Sequence, residues 1–320
     1  MNKKITSFIM IIMLIATILF IILCSKEVIE SVAFSISIWK DNLFPTLFPF
    51  FVISNLLMSY GFVEIIGKLL SNPMQKYFKM TGECGFVLAT SLFSGFPSGA
   101  KYTKDLVKRK IISNTDGSRL LTFTHYSNPL FILGMIGSIL LRNKGIALLI
   151  LISHITSGIL VGIIFSRKYK KKEQKTKLSL KSIFNNYTSP TKSFGELLTS
   201  SIFDSLNTMF LLLGIVTIFL IITTIINEIF KFPPFLHAVV SGILEMTQGI
   251  KLVSSLNCTI LIKTVLMTGI ISFGGISVHM QVLGIISDEK IKYKPFLIAR
   301  IMHSLLSMML VSILYLVLIN

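Results

Sequence analysis

Four stretches of this 320-residue chain carry side chains able to do chemistry, and all four look built to hold a small molecule, not to make or break bonds. Three of them set Gly or Pro among small hydroxyls inside apolar runs: Ser94-Gly95-Phe96-Pro97-Ser98-Gly99-Ala100-Lys101, His125-Tyr126-Ser127-Asn128-Pro129, and Ser272-Phe273-Gly274-Gly275-Ile276-Ser277-Val278-His279. A helix that stops and restarts there exposes free N–H groups and about half a positive charge at its new N-terminus, which suits an anion without burying a full cation. Asn128 followed by Pro129 reads as an N-cap and a first helical residue. The fourth stretch, Gly242 to Gly249, places Glu245 and Gln248 three apart, on one face of a helix. A carboxylate inside a bilayer needs a proton, a partner or water. Glu245 with Gln248 is therefore either a coupling site for a proton or cation, or a structural partner of His125 or His279.

The candidate substrate-binding residues are Ser94, Gly95, Pro97, Ser98, Gly99, Ala100, Lys101, Ser127, Asn128, Pro129, Ser272, Gly274, Gly275 and Ser277. His125, Glu245, Gln248 and His279 form a candidate polar or coupling network. Lys101 either draws an anion toward the site or simply snorkels from a helix start. No metal or cofactor site is expected: five histidines are scattered, and Cys24, Cys84 and Cys258 lie far apart. An intramembrane hydrolase using Ser98 and His125 is the nearest enzymatic alternative, but the stretch lacks the strand–turn–helix setting of a nucleophile elbow. The chain is expected not to be an enzyme.

The surrounding sequence is that of a polytopic membrane protein. Hydrophobic residues make up 52% and charged residues 14%, and the mean hydropathy is +0.78. The net charge of +17 fits Lys and Arg retained in cytoplasmic loops, and nucleic-acid binding is not expected. Uncharged runs long enough to span occupy 5–24, 43–63, 120–141, 145–166, 205–227, 264–287 and 301–320, with shorter ones at 85–100 and 232–244. The run from Ile5 is read as a retained first helix. Pro45 and Pro49 predict a bent start to the second run, and Lys101 to Ser118 reads as an amphipathic helix leaving the membrane. Each break lies about ten residues into its run, roughly 15 Å and so near the bilayer midplane. If 85–100 is re-entrant, Lys3 and Lys4, the loop Lys68–Lys79, the basic residues of 101–110 and the strongly basic 167–192 all fall on the cytoplasmic side.

These runs divide the chain into an N-terminal transmembrane helix (1–30), a first half (40–166), a basic cytoplasmic loop (167–195) and a second half (196–320). Leu88, Thr90 and Ser94 align with Leu266, Thr268 and Ser272 at a constant offset of 178. The interruptions follow in both halves, and paired interruptions are the sequence pointer to a transporter's binding site. The expected fold is an all-α polytopic membrane protein of two repeat-related halves, with re-entrant or broken helices meeting near the midplane.

The motifs Leu43-Phe44-Pro45-Thr46-Leu47-Phe48-Pro49-Phe50-Phe51-Val52, Ser94 to Lys101, Phe123 to Phe131 and Gly242 to Gly249 together resemble those of the YlbJ-type sporulation integral membrane proteins (stage V sporulation protein V-V type). The likeness runs from about residue 40 to the C-terminus. It departs from the commoner pattern at Phe96 and Ser98, where Tyr and Met are expected, and at His125-Tyr126. The resemblance implies a nucleoside-recognition, gate-type fold akin to parts of concentrative nucleoside transporters. It also implies movement of dipicolinic acid from the mother cell across the outer forespore membrane. On that basis Ser98, Gly99 and Ala100 are expected to hold one carboxylate, with Asn128 and the 274–277 turn holding the other. Transport of a nucleoside or other small metabolite, and a non-transporting scaffold role, remain the alternatives.

Overall fold

The computed structural model describes residues 3–169 and 192–319, so most of the basic loop expected at 167–195 lies outside the described residues. All regular elements among those described are helical, because a helix satisfies its backbone polar groups internally where lipid offers them no partner. In chain order they are α1 Lys3–Leu23, α2 Ser25–Ile38, α3 Phe44–Ser59, α4 Phe62–Leu69, α5 Cys84–Ser94, α6 Ser98–Lys108, α7 Asn114–Leu120, a π-helix Phe131–Leu140 and α8 Lys144–Ser166. After the loop come α9 Phe194–Phe230, α10 Pro234–Leu244, α11 Met246–Ser255, α12 Ile260–Phe273, α13 Gly275–Ile286 and α14 Lys294–Leu318.

Five stretches are long and apolar enough to cross a bilayer: Ser25–Ser59, Lys144–Ser166, Phe194–Phe230, Ile260–Ile286 and Lys294–Leu318. Their outward faces carry exposed apolar side chains such as Phe203, Phe210, Ile218, Leu305 and Met309, as a lipid-facing surface requires. The second run does not begin at Leu43 as expected. It continues from α2 through a wide π-helical turn, Trp39–Leu43, into α3, which carries Pro45 in its first turn and Pro49 inside. A wider turn just before Pro45 relieves the clash between the proline ring and the carbonyl four residues earlier, so the helix need not stop.

Lys101 to Ser118 is also not one amphipathic surface helix. Residues 98–103, Leu106 and Val107 are buried in α6, which packs on α5 and α13. The chain then turns at Lys110, whose φ is 58°, and restarts as α7 under a capping box made by Ser113 and Asp116. Two of the α6 lysines have acidic neighbours, while Lys108 is exposed. Lys101 lies 3.7 Å from Asp105, and Lys104 lies 2.9 Å from Asp288 in the α13–α14 turn.

Small residues let these helices approach closely, the usual basis of helix association in lipid. Gly158 and Gly162 of α8 lie under Tyr126 and Phe123, and Gly269 of α12 lies under Met308 of α14. One core gathers Phe51, Phe86, Tyr102 and Phe123, with Phe78 and Phe123 stacked 4.4 Å apart. A second gathers Ile132, Ile136, Ile146, Ile150, Met267, Ile271 and Val311.

The Lys104–Asp288 contact yields a modest test. Hydrogen bonds from Lys104 and Ser287 hold the Asp288 carboxyl below its ordinary value of 3.8. A depressed carboxyl contributes stability above its unfolded value and loses it as pH falls through the folded one. Asp288→Asn is expected to lower the melting temperature slightly at pH 7, and the difference from the parent should shrink as pH falls below 3.8 and vanish once pH is under the depressed folded value.

Candidate functional site

Three interruptions meet in the middle of the protein, each built by a different local device. At the first, α5 ends at Gly95, which has a φ of 82° that glycine adopts without strain. The Phe96–Pro97 peptide is cis, and α6 starts at Ser98. At the second, residues 121–128 run without helix, and Asn128 caps the helix that starts at Pro129, the Asn128 Oδ1 accepting from the Leu130 N–H at 2.7 Å. Gly274, with a φ of 91°, separates α12 from α13 at the third. All three breaks fall where the sequence placed them.

A fourth break was not visible as such. Glu245 and Gln248 do not share a helical face, because the helix stops at Glu245. Its backbone is extended, at φ −138° and ψ 116°, and its carboxylate accepts the Gln248 N–H at 2.8 Å as the N-cap of α11. The Thr247 hydroxyl also donates to it. These bonds make Glu245 a cap for its own chain, and no bond joins it to His125 or His279. α10 and α11, of 11 and 10 residues, fold back on one another. A Cβ at Gly249 would stand 2.1 Å from the Cα of Gly242, so this approach needs glycine at 249, while a Cβ at Gly242 would meet the Ile270 side chain at 2.5 Å. The glycines at 242 and 249, flanking Glu245, were the available signal.

The breaks are joined pairwise through backbone contact. Gly99 opens α6 against the Thr124 carbonyl, and Gly95 lies against the Asn128 backbone. Gly275 opens α13 against the hairpin tip, near the Met246 N–H and the Leu244 carbonyl. Asn128 Nδ2 also donates to the Ser94 carbonyl at 3.4 Å. His154 of α8 then links the two pairs. Its Nε2 accepts the Ser127 N–H at 3.0 Å, which leaves the proton on Nδ1 to donate to Ser272 Oγ at 2.8 Å.

A cavity of about 130 Å³ opens between these breaks. Ser94, Phe96, Ser127, Asn128, Glu245, Met246 and Thr247 line it from the breaks. Asp41, Asn42 and Thr46 complete it from the π-turn and α3, Phe131 from the π-helix, and Val278 and Gln281 from α13. Of the expected site residues, Ser94, Ser127, Asn128 and Glu245 face it. Gly95, Gly275 and Ser272 support its wall from behind.

The others serve elsewhere. Ser98 Oγ donates to the Gly95 carbonyl at 2.6 Å, and the N–H groups of Ala100 and Lys101 both return to the Pro97 carbonyl. With the Ser98 N–H also returning to the Gly95 carbonyl at 3.1 Å, the donors of Ser98 and Ala100 are taken up, two of the three residues expected to cradle a carboxylate. Lys101 is paired with Asp105, and Pro97, Pro129, Gly274 and Ser277 lie off the wall. His279 bonds Tyr293 at 2.7 Å and the Phe273 carbonyl at 3.2 Å, while the His125 ring packs against Phe296 at 4.7 Å. Gln248 contributes its backbone N–H to Glu245.

The sequence reading missed Asp41, Asn42, Thr46, Thr247 and Gln281: Thr46 and Gln281 sit within α3 and α13, Asp41 and Asn42 in the π-turn, and Thr247 beside the Glu245 break, which has no local mark of its own. His154, one of the scattered histidines, carries no local signal either, and its two side-chain hydrogen bonds are what tie the breaks together. Among the described residues, no group of three or more His, Cys, Asp or Glu side chains could hold a metal ion.

A multi-pass integral membrane protein, all-helical among its described residues and with broken helices closing around a polar cavity, is the class that fold and site define. The sporulation integral membrane protein YlbJ of Bacillus subtilis (strain 168) is 31% identical over 309 residues, covering 88% of this chain and 76% of that protein. The chain belongs to the YlbJ family of sporulation integral membrane proteins. No family model matches the sequence, and no solved structure matches the fold.

Proposed function

We propose that this protein is a transporter, carrying dipicolinate from the mother cell across the outer forespore membrane during sporulation. The observation that carries this reading is the cavity itself, walled by interrupted helices from both halves of the chain. Interrupted helices around a central polar cavity are the architecture of secondary transporters. The element order supports a duplication. The starts of α5 and α12 lie 176 residues apart, and those of α6 and α13 lie 177 apart (260 less 84; 275 less 98). Each broken helix is followed by a further helical segment, α7 with the π-helix in one half and α14 in the other.

The wall suits a flat heteroaromatic acid. Phe96 and Phe131 offer apolar surface, and Ser127, Asn128 and Gln281 offer polar groups around it. At about 130 Å³ the cavity is smaller than the roughly 300–1,000 Å³ of small-molecule pockets, so binding requires the walls to part. The α10–α11 hairpin is the natural moving wall, being half-length and joined at its tip by Glu245 alone. Glu245 also makes coupling physically reasonable, because a dianion beside an ionised carboxylate needs a proton or cation to come with it.

One observation favours a second reading, a nucleoside or other small metabolite: among the described residues no Lys or Arg lines the cavity, while three amides, Asn42, Asn128 and Gln281, do. Uptake by purified protein in liposomes, with dipicolinate and uridine compared, separates the two. Asn128→Ala removes both the cap of the π-helix and the tie to Ser94. It is expected to cut dipicolinate uptake, and spore dipicolinate content, at least tenfold while the protein still reaches the membrane. Wild-type uptake by this variant would remove the cavity from the transport path.

A further inference from the structure

The lining has no cation, yet a fully buried one lies one layer behind it. Arg300, in the second turn of α14, is 0% exposed and has no carboxylate partner among the described ion pairs. Its Nη1 donates to the His125 carbonyl at 2.7 Å and, over a long 3.4 Å, to the Ser272 carbonyl. Its Nε and Nη2 have no partner. An arginine cannot shed its proton in a protein interior, and an unpaired buried ion costs several kcal/mol. Two carbonyls compensate part of that cost, through one nitrogen.

The unpaired groups are specific in kind. Nε and Nη2 form one edge of the guanidinium, the edge that takes a carboxylate side-on through two parallel hydrogen bonds. That edge belongs to a residue held between two of the breaks, since His125 precedes cavity-lining Ser127 by two residues and Ser272 is tied to Ser127 through His154. Phe296, one turn earlier on α14, packs against His125 and fixes the approach of this helix.

We infer that Arg300 is the specificity-determining residue of this site, taking one carboxylate of an aromatic mono- or dicarboxylate on its Nε/Nη2 edge when the cavity wall parts. The inference rests on the transport reading above and narrows it to anions. It also resolves the charge problem of the site: the wall supplies acids and amides, and the positive charge comes from behind it. Nη1 keeps its bond to His125 throughout, so the guanidinium needs no new anchor.

The test measures ligand-induced thermal stabilisation and uptake with full-length protein, using dipicolinate and its uncharged diamide. Wild-type protein is expected to prefer dipicolinate. Arg300→Gln should keep or raise the melting temperature without ligand, since it removes an uncompensated charge. It should weaken dipicolinate at least about 30-fold, the lower end for losing a buried charge pair. The diamide should bind it as it binds wild type. Arg300→Lys should retain the preference for the dianion at reduced affinity, which keeps the test open if the Gln variant does not fold.

Dipicolinate binding by Arg300→Gln at wild-type strength overturns the inference and leaves the transport reading intact. Parallel loss of both ligands, with a lowered melting temperature, also overturns it, because Arg300 is then a clamp on the two carbonyls. Should wild type ignore dipicolinate, benzoate, phthalate and picolinate decide. An Arg300-dependent response to any of them removes dipicolinate as substrate and keeps the inference, whereas no response to any carboxylate removes both.

Discussion

Gly99→Ala is expected to be among the costliest single-methyl changes in this protein, matched in closeness of backbone contact by Gly82, whose added Cβ would stand 1.7 Å from the Gly67 carbonyl oxygen. A Cβ at Gly99 would sit 1.7 Å from the Thr124 carbonyl oxygen. Both sides of that contact are backbone, so no side chain can rotate away. Overpacking in a well-filled core typically costs about 1–3 kcal/mol and occasionally more, and this junction belongs at the upper end. About 3 kcal/mol corresponds to a fall in melting temperature of about 4–5 °C for a chain of this size. The contact joins the start of α6 to the extended segment leading to Asn128, so the damage reaches the cavity wall directly. Gly134→Ala, in the π-helix with nothing within 4 Å of its added methyl, is the control and should leave the melting temperature unchanged. Thermal unfolding of the detergent-solubilised variants, followed by tryptophan fluorescence from Trp39, makes the comparison. Equal melting temperatures for the two would mean that the 95–99 and 124–128 segments do not meet as described.

Glu245→Gln is expected to have the largest effect on function. Glu245 is 2% exposed, faces the cavity, and accepts from the Gln248 N–H and the Thr247 hydroxyl. Glutamine matches its shape and can still cap α11 through its carbonyl oxygen, so the hairpin should fold. What it cannot do is take up and release a proton. Two unit charges 4 Å apart in a partly wet protein site repel by about 4 kcal/mol at an effective dielectric constant near 20. That is enough to make binding of an anionic substrate depend on neutralising the carboxylate. Uptake by the parent protein should therefore vary with pH and respond to an imposed proton or cation gradient. In Glu245→Gln, exchange of dipicolinate across the membrane should persist while gradient-driven accumulation falls to background. Retained accumulation over a range of pH would exclude Glu245 as the coupling group and leave it the role of a helix cap.

Both predictions concern places where local sequence and tertiary contact speak differently. Pro97, Asn128-Pro129 and Gly274 are legible because proline and glycine break helices by their own covalent structure, whatever surrounds them. Glu245 carries no such mark. It ends α10 because α11 folds back and Gly242 and Gly249 permit the approach, a fact about two segments and not one. The same distinction explains the fate of 98–101. The chain alone predicts free donors at a helix start, and the folded turn uses those of Ser98 and Ala100 on Gly95 and Pro97. Arg300 was hidden by the same logic: it sits between a charged helix start and the apolar run 301–320, where a snorkelling residue is ordinary, and only packing reveals that it is enclosed.

By itself the sequence determined the membrane class, the helical content, the positions of three breaks and the family, because hydrophobic run length, Gly and Pro act locally and family motifs are read in order along the chain. Tertiary structure alone decided which residues surround the cavity, that the hairpin turns at Glu245, that His154 bridges the breaks, and that Arg300 is buried without a carboxylate. Most of these depend on contacts between segments far apart in the chain, such as His154 with Ser272 or His125 with Arg300, and the hairpin depends on the fit of Gly249 to Gly242. Nothing in the local physics of either partner records where the other will be.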